Sequence, residues 1–451
     1  MDSHHAHADS SVTVIGAGLA GTEAALQLAR RGVSVTLIEM RPVVPSAAHE
    51  TDLLGELVCS NSFKSDDPIT AAGQLKREIA LLGSEVLRIA RQSSVPAGAA
   101  LAVDRTVFGA ALTALVVASP NIELRREEAT EIPSSGPVIV ASGPLTSPAL
   151  QKALEQFVGP DRLAFFDAAA PIVDGSSVDP DVAFAASRYG KGGGADYLNC
   201  PMDRETYDAF MTQLVGADRV RAHEFESSDL FAACQPVEEI ARRSPDALRF
   251  GPMKPVGLVD PRTGQRPWAV VQLRSETASG SAYNLVGFQT NLTFGEQKRV
   301  FSMIPGLARA EFLRYGVMHR NTFINAPAVL DATLAVRTCP RIRIAGQLSG
   351  TEGYSEAVST GLLAALNTFA DIAGTPRVVL PTTTALGSLI AYATDSATRD
   401  YQPMHVNWGL VPPLNPPVRG KQLRYAAYSA RSARDLDTCL AGLRQTVEVL
   451  P

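Results

Sequence analysis

Cysteine is scarce in this chain, which has five in 451 residues. The number is odd, the positions lie far apart, and no two follow the CxxC spacing of zinc sites and dithiol redox motifs. We therefore expect neither a disulfide framework nor a metal. Any cysteine with a function should act as a thiol. The five are Cys59, Cys200, Cys234, Cys339 and Cys439.

Long apolar runs are also missing. The stretch from Phe108 to Ser119 is too short for a bilayer span, which needs roughly 20 residues, and no other run reaches that length. The first ten residues contain three histidines and two aspartates, but no basic patch followed by an apolar run. We expect a cytoplasmic protein with no membrane partner.

An excess of positive charge is lacking too, since the formal net charge at pH 7 is -5. This weakly disfavours nucleic acid as a partner, because RNA binding usually needs a positive surface. The charge is uneven, however: residues 298–343 contain eight basic and two acidic side chains, and residues 419–434 five basic and no acidic ones. Each cluster could face RNA or form a solvated helix face, and the sequence leaves both interpretations open.

The amino-terminal residues carry a dinucleotide-binding pattern. A β-branched run over 12–15 leads into a glycine-rich turn and an Ala/Leu-rich helical stretch over 22–30, and a second strand over 33–40 follows. This order predicts the first βαβ unit of a Rossmann-like fold, whose glycines admit a pyrophosphate at the helix amino terminus. An acid at the end of the second strand would accept hydrogen bonds from an adenosine ribose. The predicted cofactor residues are Gly16, Ala17, Gly18, Leu19, Ala20, Gly21 and Glu39.

A second glycine loop favours FAD over NAD as the cofactor. A buried strand over 137–141 is followed far downstream by another over 342–345, which leads into a glycine loop and a helix over 355–369. Flavoprotein folds bring such a second segment to the ribityl and pyrophosphate part of FAD. The cofactor residues predicted there are Gly346, Gln347, Glu352 and Gly353.

The middle of the chain does not continue the alternation of strands and helices. We predict an α/β protein with a Rossmann-like FAD-binding domain of the glutathione-reductase type, formed by residues 10–149 and 326–451, and an inserted α/β substrate or RNA domain over 150–325. Within the insert, residues 188–194 (RYGKGGG) form a loop that either contacts RNA or connects two elements.

The chain resembles one family along most of its length: the folate- and flavin-dependent tRNA (uracil-5-)-methyltransferases known as TrmFO, shorter relatives of the MnmG/GidA flavoproteins. The resemblance rests on many segments in a fixed order. They are LVCSNS (57–62), SVPAGAALAVDR (94–105), YLNCPM (197–202), FGPMKPVGL (250–258), YNLVGFQTN (283–291), GEQKR (295–299), RYGVMHRNTFIN (314–325), and residues 346–354 and 402–413.

The resemblance implies methylation of carbon 5 of the T-loop uridine (position 54) in tRNA, with methylenetetrahydrofolate as the one-carbon donor. Carbon 5 of uracil is a weak nucleophile, and a thiolate that adds to carbon 6 activates it. The donated carbon is at the formaldehyde level, so FAD and NADH or NADPH must supply two electrons. The family implies that Cys234 and Cys59 both matter, with Cys234 favoured as the nucleophile. The family usually has Glu-Gly before this cysteine, whereas Ala232 and Ala233 stand here.

The resemblance further implies that His319 stacks on the folate and that Arg320 and Asn321 hold folate or RNA. A structural histidine is the alternative interpretation of His319. The remaining cysteines are interpreted as core residues. Three alternatives stay open: the same chemistry on a ribosomal RNA uridine, a flavin oxidoreductase of a small metabolite without RNA, and a non-catalytic RNA-binding flavoprotein.

Overall fold

The fold has two main layers, each built around a six-stranded sheet. The sheet of the first layer is mostly parallel. The computed structural model describes residues 11–46, 48–159, 162–168, 170–220, 235–277, 279–316, 318–398, 401 and 403–446, with the backbone alone for 162–168, 318–322 and 443–446. The strand order is β16-β17-β7-β1-β2-β6, and only β16 runs antiparallel to its neighbour. The strands are β1 (Ser11–Ile15), β2 (Ser34–Glu39), β6 (Ile122–Arg126), β7 (Val138–Val140), β16 (Ala335–Val336) and β17 (Cys339–Ile344). The carboxyl ends of β1, β2, β7 and β17 therefore meet at one edge, where α/β proteins bind their ligands.

Two helices pack together against this sheet, α1 (Leu19–Ala29) and α11 (Tyr354–Ala373). They approach closely because Gly361 lacks a side chain: a Cβ there would lie 2.2 Å from the carbonyl oxygen of Ala20. Both helices are longer than predicted. α1 begins three residues earlier, directly after the glycine turn, and α11 continues to Gly374, which adopts the left-handed conformation that ends it.

Shorter elements complete this layer between β2 and β6. The strands β3 (Ser62–Ser65), β4 (Ser94–Val95) and β5 (Ala100–Val103) form a small antiparallel sheet. The helices are α2 (Ala71–Leu81), α3 (Glu85–Gln92) and α4 (Arg105–Val117), and α4 contains most of the longest apolar stretch. α5 (Pro148–Val158) follows β7 and packs its buried leucines against the same core.

A second, antiparallel sheet has the strand order β10-β11-β12-β13-β9-β14. Its strands are β9 (Ile172–Asp174), β10 (Phe184–Ala185), β11 (Tyr197–Met202), β12 (Ala269–Ser275), β13 (Ala282–Leu285) and β14 (Phe312–Arg314). Its helices are α6 (Arg204–Gly216), α7 (Val237–Arg243), α8 (Ala247–Phe250) and α9 (Phe294–Phe301). These elements share a hydrophobic core that is separate from that of the first layer.

The strands β8 (Arg162–Ala168) and β15 (Met318–Ile324) pair as a two-stranded antiparallel ribbon. In the sequence, β8 comes just before the elements of the antiparallel sheet and β15 just after them. After it come α10 (Ala326–Val329), α12 (Ala385–Thr394) and the long α13 (Lys421–Thr446). α13 docks on α2, where Ser429 donates to Gln74 (2.9 Å) and Ser432 donates to the buried carboxyl group of Glu78. None of the helices in the described part of the chain is long and apolar enough to cross a bilayer.

Candidate functional site

A pocket opens at the carboxyl ends of β1, β2 and β7, between α1 and α11. Most of the predicted cofactor residues lie on its wall, from both the amino-terminal turn and the distant second loop: Gly16, Gly18, Leu19, Ala20, Glu39, Gly346, Gln347, Glu352 and Gly353. Ala17 and Gly21 are not among the wall residues; the N–H of Ala17 donates to Glu39, and Gly21 packs against Gly16. The fold thus brings together two segments that are more than 300 residues apart in the sequence.

The three glycines of the turn differ in their surroundings. Gly16 has a φ of +94°, and a Cβ there would lie 2.6 Å from the Cα of Ser142. A Cβ at Gly21 would lie 1.7 Å from the carbonyl oxygen of Gly16, so this residue permits the contact between α1 and the turn. A Cβ at Gly18 would meet nothing within 4 Å, because this glycine faces the open pocket. This matches the geometry that a dinucleotide pyrophosphate requires.

The helix ends at the pocket lack side-chain caps. α1 and α11 begin after Gly18 and Gly353, which offer no side-chain oxygen to the first N–H groups. A Ser, Thr or Asp side chain caps α2, α3, α4, α5, α6, α9 and α12, whereas the short helices α7, α8 and α10 also lack a side-chain cap. Uncapped helix amino termini carry donors and a positive dipole end, which suit the phosphates of FAD. The residues present therefore fit the predicted cofactor.

Glu39 is a buried carboxylate at the end of β2. Its Oε2 accepts the N–H of Ala17 (2.8 Å), and its Oε1 accepts from the Nε (2.9 Å) and the N–H (3.1 Å) of Arg41. Burial opposes ionisation, but the charge of Arg41 and these hydrogen bonds outweigh it and lower the pKa of Glu39. Glu39 is therefore ionised at neutral pH, as an acceptor for ribose hydroxyls must be. Its contact with a ribose stays a prediction.

Arg41 lies on the pocket wall and was missed by the sequence reasoning. Its guanidinium also donates to Glu56 (2.9 Å) and to the carbonyl oxygens of Thr51 and Leu53. The sequence did contain a signal for it. Arg41 is two positions after Glu39, and side chains two positions apart in an extended segment lie on the same face. His49 lies on the same wall, and burial together with the charge of Arg41 lowers its pKa to about 4.

Cys59 lies on the pocket wall in the loop between β2 and β3, half-buried. The hydroxyl oxygen of Tyr354, the first residue of α11, accepts the N–H groups of Cys59 (3.0 Å) and Ser60 (3.1 Å). Burial, followed by an electrostatic contribution from Cys59, raises the pKa of Tyr354, so the phenol stays protonated at neutral pH. The tyrosine thus fixes the backbone that carries the thiol. Its role was not predicted.

An arginine and a glutamate hold the same loop from the other side. Arg105, at the start of α4, donates to the carbonyl oxygen of Leu57 (2.6 Å) and pairs with Glu276 (2.6 Å). The charge of Glu276 raises the pKa of Arg105 against the opposing effect of burial, which is the largest single influence. This mostly buried pair connects the Cys59 loop to the end of β12.

A second link joins the Cys59 loop to the antiparallel sheet. The buried side chain of Asn61 donates to the carbonyl oxygens of Ser275 (2.9 Å) and Val103 (3.0 Å) and accepts from Nε of Arg274 (2.8 Å). Together with the Arg105 pair, these bonds set the position of Cys59 relative to β12. The two β12 residues that bond to Asn61, Arg274 and Ser275, are more than 200 positions from it in the sequence.

The structure does not test the other predicted catalytic and substrate residues. Cys234 lies in segment 221–234, outside the described residues. His319, Arg320 and Asn321 are on β15, where their backbones pair with Asp167, Phe166 and Phe165 of β8, and only the backbone is described there. Their side-chain roles stay predictions.

The cysteines interpreted as core residues lie among apolar neighbours. Cys200 is completely buried in the core of the antiparallel sheet, and burial raises the pKa of its thiol to about 12. Cys339 and Cys439 are half-buried and pack against the core of the first layer.

The basic run over 298–343 does not form one positive surface. Arg343 is buried and pairs with Asp371 (2.6 Å), and Arg299 pairs with Glu296 (2.6 Å). Arg314 is mostly buried and donates to the carbonyl oxygen of Ala48. The sequence could not distinguish buried arginines from exposed ones, so neither interpretation of this run holds for it as a whole. Residues 419–424, at the start of α13, are exposed.

The loop over 188–194 is tied to the antiparallel sheet at its start. Arg188 donates to Gln272 (2.8 Å) and to the carbonyl oxygen of Val256 (2.9 Å). Across the described ranges, no group of three or more His, Cys, Asp or Glu side chains is placed to hold a metal ion.

Comparison with known proteins identifies the family. Residues 11–376 match the family described as Glucose inhibited division protein A, GIDA. The curated protein "Methylenetetrahydrofolate--tRNA-(uracil-5-)-methyltransferase TrmFO" of Symbiobacterium thermophilum is 54% identical over 424 residues, which are 93% of this chain and 95% of that protein. The protein of the same name from Heliobacterium modesticaldum is 53% identical over 431 residues, 96% of this chain and 98% of that protein.

A solved structure supports the fold. GidA of Aquifex aeolicus superimposes with a TM-score of 0.69 at 17% identity, over 96% of this chain and 76% of that one. The predicted α/β fold with a Rossmann-like FAD-binding domain is thereby confirmed. The chain belongs to the Glucose inhibited division protein A family and, within it, to the TrmFO methyltransferases.

Proposed function

We propose that this protein transfers the one-carbon unit of methylenetetrahydrofolate to carbon 5 of the T-loop uridine in tRNA, with NADH or NADPH as reductant. The observation that carries the proposal is a thiol, Cys59, on the wall of a pocket whose two uncapped helix ends suit an FAD pyrophosphate. Relatives more than 50% identical over nearly their full length bear the name of this activity.

The reaction needs a redox cofactor as well as a thiol. FAD, when bound, supplies the two electrons that convert a methylene group to a methyl group. Gly16, Gly18 and the first N–H groups of α1 would hold its pyrophosphate, and Glu39 its ribose. Gly346 and Gly353, in the second glycine loop, would contact FAD from the opposite wall of the pocket.

The thiols supply the covalent step. A thiolate that adds to carbon 6 of uracil makes carbon 5 nucleophilic, and loss of the proton on carbon 5 releases the thiol after methyl transfer. We assign the attack to Cys234 and an assisting role beside the flavin to Cys59, with the reverse assignment as the alternative. Tyr354 and Arg105 position the Cys59 loop through its backbone. His319, Arg320 and Asn321 are proposed to contact folate or RNA.

The division of the chain follows from this function. We propose that residues 10–149 and 326–451 bind FAD and that residues 150–325 form an inserted domain for the RNA. The separate core of the antiparallel sheet supports this division. We place the enzyme in the cytoplasm, where its tRNA and folate substrates are found.

One assay tests the proposal. Purified protein is incubated with tRNA that lacks the modification, NADPH and methylenetetrahydrofolate labelled at the methylene carbon, and in parallel with labelled S-adenosylmethionine. We expect label in ribothymidine only with the folate donor, and loss of it in Cys59→Ala and in Cys234→Ala. Label only from S-adenosylmethionine would overturn the donor, and label in ribosomal RNA but not in tRNA would overturn the substrate. Full activity of both variants would overturn the thiol mechanism.

A further inference from the structure

Three aromatic rings form a stacked column beside the antiparallel sheet. The ring of Tyr315 lies between those of Phe312 (centroids 5.3 Å apart, planes at 9°) and Phe294 (5.0 Å, 17°). Nearly parallel rings at these distances are offset stacks, an arrangement that aromatic side chains favour. The column is a continuous set of flat surfaces rather than a general hydrophobic cluster.

The column leads from the protein interior to solvent. Phe312, on β14, packs against the core of the antiparallel sheet, whereas the side chain of Phe294 is 54% exposed. The outermost ring of the stack is therefore largely uncovered. A planar ring that stacks on Phe294 would extend the column by one member.

The uncovered ring is held in a fixed position. Gln297, one turn further along α9, donates to the carbonyl oxygen of Gly316 (2.8 Å) and accepts the N–H of the same residue (2.7 Å). These two hydrogen bonds between the Gln297 side chain and the Gly316 backbone fix α9 against the segment that contains Tyr315. Thr293 caps the helix directly before Phe294. A preorganised ring loses little conformational entropy when it binds a partner.

The strand that carries part of the column contacts the segment of His49, a residue of the pocket wall. Arg314, the neighbour of Tyr315, donates to the carbonyl oxygen of Ala48 (2.9 Å) and pairs with Glu50 (3.1 Å). His49, between these two residues, lies on the pocket wall. Phe294 and Tyr315 themselves do not line the pocket, so a ligand stacked on Phe294 lies outside the cofactor site.

The charge next to the ring is positive. Lys298 follows Phe294 by four residues on α9, so the two side chains share one face of the helix. Lys298 is exposed and forms no ion pair with another described residue. Proteins that bind single-stranded RNA combine aromatic rings with positive side chains: the bases stack on the rings, and lysine or arginine binds the phosphates.

We propose that Phe294 is a stacking platform for an unpaired base of the RNA substrate and that Lys298 faces the adjoining phosphate. The inference rests on the proposed function and adds a contact with the RNA. RNA is favoured over the folate because the ring lies outside the pocket. It is favoured over a protein partner because one ring and one lysine are too small for a stable protein interface.

The test compares five variants with the unaltered enzyme: Phe294→Ala, Phe294→Leu, Phe294→Trp, Lys298→Met and, as a control, Leu313→Ala. Leu313 is 56% exposed on β14, directly after Phe312, and carries no aromatic ring. The measurements are the dissociation constant of a T-arm RNA by fluorescence anisotropy, and kcat and KM for tRNA and for methylenetetrahydrofolate.

We expect Phe294→Ala and Phe294→Leu to weaken RNA binding by about 10-fold or more, because loss of one base stack has an effect of that order. Phe294→Trp and Leu313→Ala should bind RNA as the unaltered enzyme does. KM for tRNA should rise with the dissociation constant while KM for the folate stays constant. Lys298→Met should reduce the slope of log affinity against log salt by about one.

Several results would overturn this inference while leaving the proposed function intact. They are unchanged RNA binding in Phe294→Ala, a loss in Phe294→Trp as large as in Phe294→Ala, or a rise in KM for the folate in place of tRNA. If the unaltered enzyme binds the RNA but methylates no tRNA with the folate donor, the proposed function fails, and the binding comparison still decides on the platform.

Discussion

A buried lysine in α2 gives a pH-dependent prediction about stability. The side chain of Lys76 is completely buried, and its Nζ donates to the carbonyl oxygens of Phe63 (2.8 Å) and Ala72 (3.1 Å). Burial lowers its pKa to about 8 from the ordinary 10.5. A pKa difference of one corresponds to about 1.4 kcal/mol, so protonation of this amine costs the folded state about 3 kcal/mol.

The sign of the pH dependence follows from linkage. Below pH 8 the amine is protonated in both states, and the cost to the folded protein is constant. Between pH 8 and 10.5 the unfolded chain binds more protons than the folded one, so the contribution of Lys76 to the free energy of unfolding rises with pH. Methionine has a similar length and no charge. Lys76→Met should therefore stabilise the protein at pH 7 by about 1 to 2 kcal/mol, after loss of the hydrogen bonds to Phe63 and Ala72.

The assay is urea unfolding of both proteins at pH 7, 8, 9 and 10. The advantage of Lys76→Met should shrink as the pH rises through this range. Lys152→Met, at an exposed lysine of α5, is the control and should show the same pH dependence as the unaltered protein. If Lys76→Met destabilises the protein at pH 7, or if its advantage does not change with pH, the reasoning is refuted.

Three further sets of variants test the geometry of the site. Gly21→Ala places a Cβ 1.7 Å from a backbone oxygen and should lower the free energy of unfolding by about 3 kcal/mol or more. Gly18→Ala meets no atom within 4 Å, so it should fold normally but bind FAD more weakly. Equal stability of the two variants in thermal unfolding would contradict this. Tyr354→Phe removes the acceptor of two N–H groups, so we expect a loss of about 2 kcal/mol in urea unfolding and a lower methylation rate with unchanged FAD content; unaltered activity and stability would argue against its positioning role. Arg105→Met leaves Glu276 buried without its partner and should cost about 3 to 5 kcal/mol, part of which the added change Glu276→Leu recovers; additive effects in this double-mutant cycle would refute the coupling.

The sequence predicted the first βαβ unit and the second glycine loop because their signals are local. Strand, turn and helix follow one another within about 30 residues, and each glycine has a role that its neighbours in the chain define. The meeting of Gly16 and Gly346 at one pocket was expected because flavoprotein folds bring such a second segment to the cofactor. In the structure the parallel strands β1, β7 and β17 present their carboxyl ends at the same edge. Helix bounds were less accurate: the first helix was predicted to begin at residue 22, after the last glycine of the turn, whereas α1 begins at Leu19 and includes Gly21.

The network around Cys59 could not be predicted in this way. Tyr354 and Glu276 lie 295 and 217 positions from Cys59, and no spacing or composition indicates that they share its loop. The antiparallel sheet poses the same difficulty, because β9 pairs with β13 and β14 rather than with its neighbours in the chain. Charge counts failed for a related reason. Arg343 stands in a basic run but is buried with Asp371, and burial depends on tertiary packing.

The central claim is that this chain binds FAD in the pocket that contains Cys59. Its most direct test is reconstitution of the purified protein with FAD, followed by absorbance and by the stoichiometry of the bound flavin. We predict one FAD per chain, reduction of its absorbance band by NADH or NADPH, and reoxidation when methylenetetrahydrofolate and tRNA are added together. A correctly folded protein that binds no FAD under these conditions would contradict the account.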